Sequence, residues 1–445
     1  MRVLMLGWEY PPHISGGLGT ACQGISIGLA KKNHQITFVV PHLFGSEDAP
    51  HMQMVGVISD SLEKDTVRPL QQQKSKRRTK SKKIIRKIKI KSLLSPYTNP
   101  TQYQMSYEAM LNCTGLKSTE VEEYLVDDTS KREDFIKRVS FQSYGKDIFL
   151  EVERYAQQVR AHFAEESFDI IHAHDWMTVP AAVLLSKVKN IPVVLHIHSL
   201  EQDRSGAHVN QQIAAIESYG MSYAQRVIAV SHYTKQIIQR NFTLAAEKIH
   251  VVHNGVYQGK VREHYKKPKD NKQRVLFLGR ITMQKGPDYF VEAAAKILPH
   301  FPKVEFIIAG AGDMLPRLKA RVQSLGIQKN FYFPGFLKGK QVERAYALAD
   351  VYVMPSVSEP FGIAALEAIK FDTPVIVSKQ SGVSEVLSHA LKVDFWDTKK
   401  LADSIINALR YPELREDMLS MAREEVKRVH WDAAANSIDD VYKSL

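Results

Sequence analysis

The chain has 445 residues, 44% of them hydrophobic and 24% charged, which excludes a disordered or fibrous protein and exceeds what one hydrophobic core holds. Its formal charge is +12, but residues 74–91 (KSKRRTKSKKIIRKIKIK) carry eleven basic side chains and no acidic one, so the remainder is nearly neutral and a uniformly basic surface is excluded. Two cysteines, Cys22 and Cys113, make no spacing motif, which argues against a disulfide framework and for a reducing, cytoplasmic setting, and no stretch approaches the roughly 20 apolar residues of a membrane span.

Residues 2–8 (RVLMLGW) read as a first strand, because Pro11 and Pro12 end the apolar run too early for a secretory segment. A Gly-rich loop, Gly16-Gly17-Leu18-Gly19, leads to a predicted helix over 20–32 and a second strand over 35–40 (QITFVV), which together make a βαβ unit. From about 45 to 150 the pattern degrades, and this stretch reads as an insertion, partly ordered at best over 65–92. Regular alternation returns with apolar runs at 169–174 (DIIHAH), 192–198 (PVVLHIH), 226–231 (RVIAVS) and 249–253 (IHVVH), each read as a strand covered on both faces. Residues 257–273 are polar and read as a linker. A second series follows at 275–279, 304–310, 331–334, 351–355 and 374–378, with helical stretches between. Two consecutive βα series imply two doubly wound domains, and no repeat of solenoid period occurs. The expected division is 1–256, with the basic insertion at about 60–95, and 270–424.

Ligands of open parallel sheets bind beyond the carboxyl ends of the strands. Glycines at 16, 17 and 19 let backbone N–H groups approach a phosphate at a helix N-terminus, or simply close a tight turn. Arg280 directly follows a strand and Lys285 lies five residues on, so the two are either ordinary surface cations or a pair that neutralises a diphosphate. The sharpest feature is Glu359-Pro360-Phe361-Gly362-Ile363-Ala364-Ala365-Leu366-Glu367. Pro360 suits the first helical position, which places Glu359 at the helix N-terminus and Glu367 about two turns on, ~12 Å by helix rise. One carboxylate then meets a sugar hydroxyl and the other a ribose diol, while the N–H groups near Gly362 and Ile363 face phosphate; the alternative is that the acids only complement the helix dipole. His174 ends a strand within His172-Ala173-His174-Asp175-Trp176, where a substrate contact is favoured over a packed or turn residue. No H-E-x-x-H, C-x-x-C or D-x-D occurs, so no metal site and no cofactor is expected, and a sugar transferase that holds its nucleotide through Mg²⁺ or Mn²⁺ is disfavoured.

On these residues the chain resembles glycosyltransferase family 4, retaining enzymes of GT-B fold, and within it the bacterial glycogen and starch synthase type. The resemblance rests on GGLGTA, DIIHAHDWMT, VVHNGV, FLGRITMQKG, IIAGAGD and PSVSEPFGIAALEA, and spans nearly all of the chain except about 45–140. It implies two Rossmann-like domains facing across a cleft, with a C-terminal helix over about 425–445, from Trp431-Asp432 on, that crosses back to the N-terminal domain. It implies that the Gly17 backbone faces the donor phosphates, that Arg280 and Lys285 hold the pyrophosphate, that Glu359 contacts the donor sugar and Glu367 the ribose, and that His174 and Asn254 lie near the transferred sugar. The reaction implied is transfer of a hexose, glucose first, from UDP- or ADP-glucose to an acceptor hydroxyl such as that of an α-glucan, without a metal. One departure stands out: where glycogen synthases of this type carry Lys-x-Gly-Gly, this chain has Ile14-Ser15-Gly16-Gly17, which weighs against glycogen synthesis more than against sugar transfer.

Other readings are a glycosyltransferase of cell-surface polysaccharide or glycolipid synthesis, a nucleotide-sugar epimerase or phosphorylase of similar fold, and a protein that binds anionic surfaces through residues 74–91. That tract has no interleaved aromatics, which lowers the case for nucleic acid, and Ile84, Ile85, Ile88 and Ile90 do not share one helical face. The corresponding partner expectation is peripheral contact with an anionic membrane face through residues 74–91.

Overall fold

The computed structural model describes residues 1–12, 17–41, 43, 46–57, 89–90, 148–257, 265, 268 and 270–445. Gly16, Cys113 and all of the basic tract except its residues 89 and 90 lie outside them. Among the described residues no helix is long and apolar enough to cross a membrane. The chain forms two compact units, Met1–Val193 and Val194–Leu445.

The first unit runs β1 (Arg2–Leu6), α1 (Gly17–Lys31), β2 (Gln35–Val39), β3 (Gln53–Val57), β4 (Lys89–Ile90), α2 (Ile148–Phe163), β5 (Ile170–His174) and α3 (Val179–Lys189). Its strands pair in parallel in the order β4-β3-β2-β1-β5, with Val3 registered between Ile36 and Ile170. Leu4, Met5, Leu6 and every residue of β5 are buried, which is why these strands read as unbroken apolar runs rather than as alternation. Two strands, β3 and β4, lie inside the stretch read as an insertion. Gln53 and Gly56 interrupt the apolar signal of β3, yet Met54 and Val55 are buried and pair with Phe38 and Val39. Helix α1 begins three residues before its expected start, because Gly17 and Gly19 are already helical.

The second unit begins with β6 (Val193–Ile197), α4 (Glu201–Ser205), α5 (Gln211–Tyr223), β7 (Arg226–Ala229), α6 (His232–Asn241) and β8 (Ile249–Val251), with β6, β7 and β8 paired in parallel. After the polar stretch come β9 (Gln273–Leu278), α7 (Pro287–Ile297), β10 (Val304–Ala309), α8 (Leu315–Ser324), β11 (Phe331–Gly335), α9 (Lys340–Leu348), β12 (Val351–Met354) and α10 (Ile363–Lys370). Then follow β13 (Val375–Ser378), α11 (Val383–Val386), β14 (Leu391–Val393), α12 (Thr398–Arg410), α13 (Pro412–Arg428) and α14 (Trp431–Lys443). Strands β9 to β14 form a parallel sheet in the order β11-β10-β9-β12-β13-β14.

Side chains of this sheet alternate between two cores, as the two-residue period of a strand demands. Val275, Phe277, Phe306, Val351 and Val353 join Phe290 of α7 and Leu401 and Ile405 of α12 on one face. Leu276, Ile307, Tyr352, Met354 and Val377 join Tyr346 of α9, Leu366 of α10 and Val426 of α13 on the other. The strand order reverses between β9 and β12: β10 and β11 extend one way, β13 and β14 the other. In open parallel sheets such a reversal is where ligands bind, beyond the carboxyl ends of the two strands, here β9 and β12.

The last helix packs against the β7–β8 part of its own unit. Val256 and His430 form a parallel bridge, and Arg226 of β7 donates to the Ser444 carbonyl at 2.7 Å.

A carboxylate ties α6 to the later loops. Glu385 accepts from the backbone N–H of His232 (2.9 Å) and of Tyr233 (2.6 Å) at the α6 N-terminus, where unpaired donors and the helix dipole favour a negative charge. The same carboxylate accepts from His253 Nε2 at 2.9 Å. Burial raises the Glu385 pKa, but the hydrogen bonds from His253, His232 and Tyr233 outweigh it, and the net shift is downward.

Two expectations follow for stability. A folded-state pKa below the unfolded one stabilises above the ordinary glutamate pKa of about 4.3, and that contribution disappears as pH falls through the lowered folded value. The advantage of the native chain over Glu385→Gln in denaturant melts is therefore largest near neutrality and shrinks below pH of about 4; an advantage that grows on acidification contradicts this. Separately, Gly310 has φ +149° and a Cβ there would lie 1.9 Å from the Gly279 carbonyl oxygen. Gly310→Ala should cost at least about 2 kcal/mol, read as a lower melting temperature, because both the backbone conformation and the close approach exclude a side chain.

Candidate active site

The loop from β9 to α7 carries two cations. Ile281 N–H donates to the Ala311 carbonyl at 2.9 Å, which fixes the loop against the end of β10. Arg280 Nη2 donates to Gln284 Oε1 at 3.0 Å, and the Gln284 carbonyl in turn accepts from Val357 N–H at 2.9 Å. Lys285 ends a short 3₁₀ turn, and Gly286 (φ +64°) reverses the chain into α7 with Pro287 at its start. A Cβ at Gly286 would meet the Pro355 carbonyl oxygen at 2.1 Å, so this glycine lets the loop after β9 touch the loop after β12.

The second loop carries the carboxylate. Lys285 Nζ lies 2.5 Å from Glu359 Oε2, and Ser356 Oγ donates to the same oxygen at 3.1 Å. Glu359 is 7% exposed, and its Oε1 accepts no hydrogen bond from the described residues. The expectation that α10 starts at Pro360 is corrected. The helix begins at Ile363, with Gly362 (φ +110°) before it. Residues 359–361 are instead held by the loop after β13: Glu359 N–H donates to the Gln380 carbonyl (2.9 Å), Gly382 N–H to the Glu359 carbonyl (2.9 Å) and Val383 N–H to the Phe361 carbonyl (2.5 Å). These bonds consume the backbone groups that a first helical turn would have used. Glu359 therefore lies outside the helix, and the ~12 Å helical rise does not separate it from Glu367.

Gly362 supplies no side-chain cap, so no side chain among the described residues satisfies the N–H groups of the first turn at Ile363 and Ala364. Glu367 sits in the second turn and accepts from Tyr346 Oη at 3.3 Å. Burial pushes its carboxyl above the usual range, partly offset by that bond and by Lys370. The structure thus gathers Arg280, Lys285, Glu359, Gly362, Ile363 and Glu367 on the loops and helix that leave β9 and β12. Two cations, unsatisfied helix amides and two carboxylates suit a ligand that is anionic at one end and hydroxylated at the other.

The remaining expected residues are placed differently. In the first unit, Gly17 is the exposed first residue of α1, and Gly19 N–H donates to Glu9 Oε1 at 3.0 Å, so a protein carboxylate already faces that helix start. His174 is fully buried, stacks on His172 with ring centroids 4.5 Å apart, and its carbonyl accepts from Thr178 Oγ1 at 3.0 Å. Asn254, in the second unit, is 7% exposed and lines a cavity of about 380 Å³ with His253, Glu425, Arg428 and His430. Sequence reasoning passed over Gln284, Ser356, Ser358, Glu385 and the buried Asp203. The serines lay inside the motif PSVSEPFG and were legible there as polar residues in a strand-end loop; Asp203 carried no signal of its own.

Comparison with known proteins bears on the family and the fold. The family described as "Glycosyltransferase Family 4" matches residues 120–258 and the one described as "Glycosyl transferases group 1" matches 260–425. An uncharacterised glycosyltransferase of Methanocaldococcus jannaschii is 28% identical over 100% of this chain and 98% of its own length. A glycogen synthase of Mycobacterium tuberculosis is 23% identical over 99% of this chain and 94% of its own. Among solved structures, sucrose-phosphate synthase from Thermosynechococcus elongatus superposes with a TM-score of 0.67 at 18% identity, covering 100% of this chain and 98% of that one. Anabaena HepE, solved in complex with UDP-glucose, gives 0.63 at 16% identity, with 100% of both chains covered. The paired family matches, which between them run from 120 to 425, and the two parallel-sheet, Rossmann-like folds agree: the chain belongs to glycosyltransferase family 4 and has the GT-B fold.

Proposed function

We propose that the chain transfers a hexose, with retention of configuration, from a nucleoside-diphosphate sugar to an acceptor hydroxyl. The observation that carries this reading is the contact of Lys285 with Glu359 at the reversal of the sheet, with Arg280 on the same loop as Lys285. A leaving nucleoside diphosphate gains negative charge as the glycosidic bond breaks. Arg280, Lys285 and the first-turn N–H groups of α10 are fixed donors that stabilise this charge without reorganising. Lys285 has three donors, so it can hold both Glu359 and a phosphate oxygen. Glu359 Oε1 is then the acceptor for a hydroxyl of the donor sugar, and Glu367 the acceptor for the ribose diol.

Front-face attack needs no strong protein base, since the departing phosphate takes the proton of the acceptor hydroxyl. In this reading the diphosphate is held by side-chain cations and amides rather than a divalent metal, which accords with the absence of D-x-D from the sequence. The same reading keeps Asn254 for the transferred sugar; Gly17, whose helix start already faces the Glu9 carboxylate, and the fully buried His174 are given no donor contact in it. UDP-glucose and ADP-glucose are the donors to try first: HepE was crystallised with UDP-glucose, and the relatives include a glycogen synthase and an "Alpha-maltose-1-phosphate synthase". Because Ile14 stands where glycogen synthases of this type carry lysine, an acceptor other than glycogen, such as a polysaccharide or glycolipid sugar, is the second reading. A cytoplasmic setting belongs to the same proposal, in keeping with two cysteines that make no spacing motif.

A thermal-shift screen of both donors tests the first step, since a ligand bound only by the native state raises its melting temperature. With the stabilising donor and an α-glucan or simple glycoside as acceptor, Glu359→Gln and Lys285→Ala should each lower kcat by about 10²–10³, while Glu367→Gln should mainly raise KM for the donor. Wild-type turnover in both Glu359→Gln and Lys285→Ala, or inverted product configuration by NMR, overturns the proposal.

A further inference from the structure

Both neighbours of Glu359 are held from outside their own sheet. On one side, Ser358 Oγ donates to Asp203 Oδ1 at 2.5 Å and lies 3.1 Å from Tyr233 Oη. On the other, the Pro360 carbonyl accepts from Ser231 Oγ at 2.6 Å and Thr234 Oγ1 at 3.3 Å. Asp203 sits on α4 and uses its second oxygen to accept from Leu200 N–H at 2.8 Å, so its position is fixed by the start of that helix. It is 1% exposed, and burial raises its pKa despite the bonds from Ser358 and Leu200 and the nearby Arg204; Glu359 adds to the rise.

Keeping a carboxylate buried, and near a second one, is costly unless its hydrogen bonds are all made. A loop that only needed packing would be served by an apolar side chain. The Asp203–Ser358 bond spans 155 residues of sequence and ends on the residue next to Glu359. We propose that Asp203 is a positioning residue for Glu359: through Ser358 it sets where Glu359 Oε1 points, without touching substrate itself. Lys285 and Ser356 then fix one carboxylate oxygen, and Asp203 and Ser231 fix the peptide frame on either side. This inference rests on the reading of Glu359 as a contact to the donor sugar.

The test uses the full chain with UDP-glucose as probe, following release of UDP, with binding of UDP alone measured in parallel. Ser358→Ala and Asp203→Ala should each lower kcat by about tenfold to a hundredfold, the scale of a small misplacement at a reacting centre. UDP affinity should be unchanged, because UDP lacks the sugar. The double variant should be no slower than the worse single one, as two members of one hydrogen-bonded chain are not additive. Ser358→Thr, which keeps the hydroxyl, should restore most of the rate. Multiplying effects, a matching loss of UDP affinity, or no rescue by threonine overturns the proposal. Should Asp203→Ala fail to fold, Ser358→Ala and Ser358→Thr decide the question alone. Glu359→Gln serves as the control. If it turns over at the wild-type rate, the functional reading itself falls; if it is impaired while Ser358→Ala is not, only the positioning role falls.

Discussion

The contact between Lys285 and Glu359 depends on two backbones meeting where β9 and β12 lie side by side. Gly286 makes that approach sterically allowed, and the Gln284–Val357 hydrogen bond holds it. Neither residue is exposed enough to be an ordinary surface ion. A cation and a carboxylate drawn partly out of water need additional partners, and Ser356 supplies one on the carboxylate. The rest of the candidate site follows from this pairing: with the two loops joined, Arg280 and the start of α10 lie at the same end of the sheet, and Glu367 is one helical turn on from that start.

Much of this architecture was legible because parallel strands buried on both faces write themselves as apolar runs. Runs such as 275–279 and 351–355 needed no alternation to be found, and the loops that follow them carry Arg280, Lys285 and Glu359. Strand β3 escaped because Gln53 and Gly56 dilute its signal, although its pairing with β2 is regular. The start of α10 was misplaced for a different reason. Proline at 360 suits a first helical turn, yet tertiary hydrogen bonds from Gly382 and Val383 claim the local carbonyls and delay the helix to Ile363. Local propensity lost to long-range backbone pairing.

The candidate side chains divide along the same line. Arg280, Lys285 and Glu359 could be found because each lies in the loop that directly follows a strand of its own βα unit, and Glu367 because it shares a motif with Glu359. Asp203, Ser231, Tyr233 and Glu385 could not, since their importance comes only from partners more than 100 residues away in sequence. They tie the segment 200–234 to the loops that carry Glu359. The candidate site around Glu359 is thus built by one βα series and held in place by side chains of another.

The most direct measurement is a crystal structure with UDP bound. The account predicts the diphosphate at the amino end of α10, with its terminal phosphate oxygens within hydrogen-bond distance of Arg280 and Lys285 and the ribose hydroxyls against Glu367. A diphosphate bound elsewhere, with those three side chains free of it, would contradict the account at its centre.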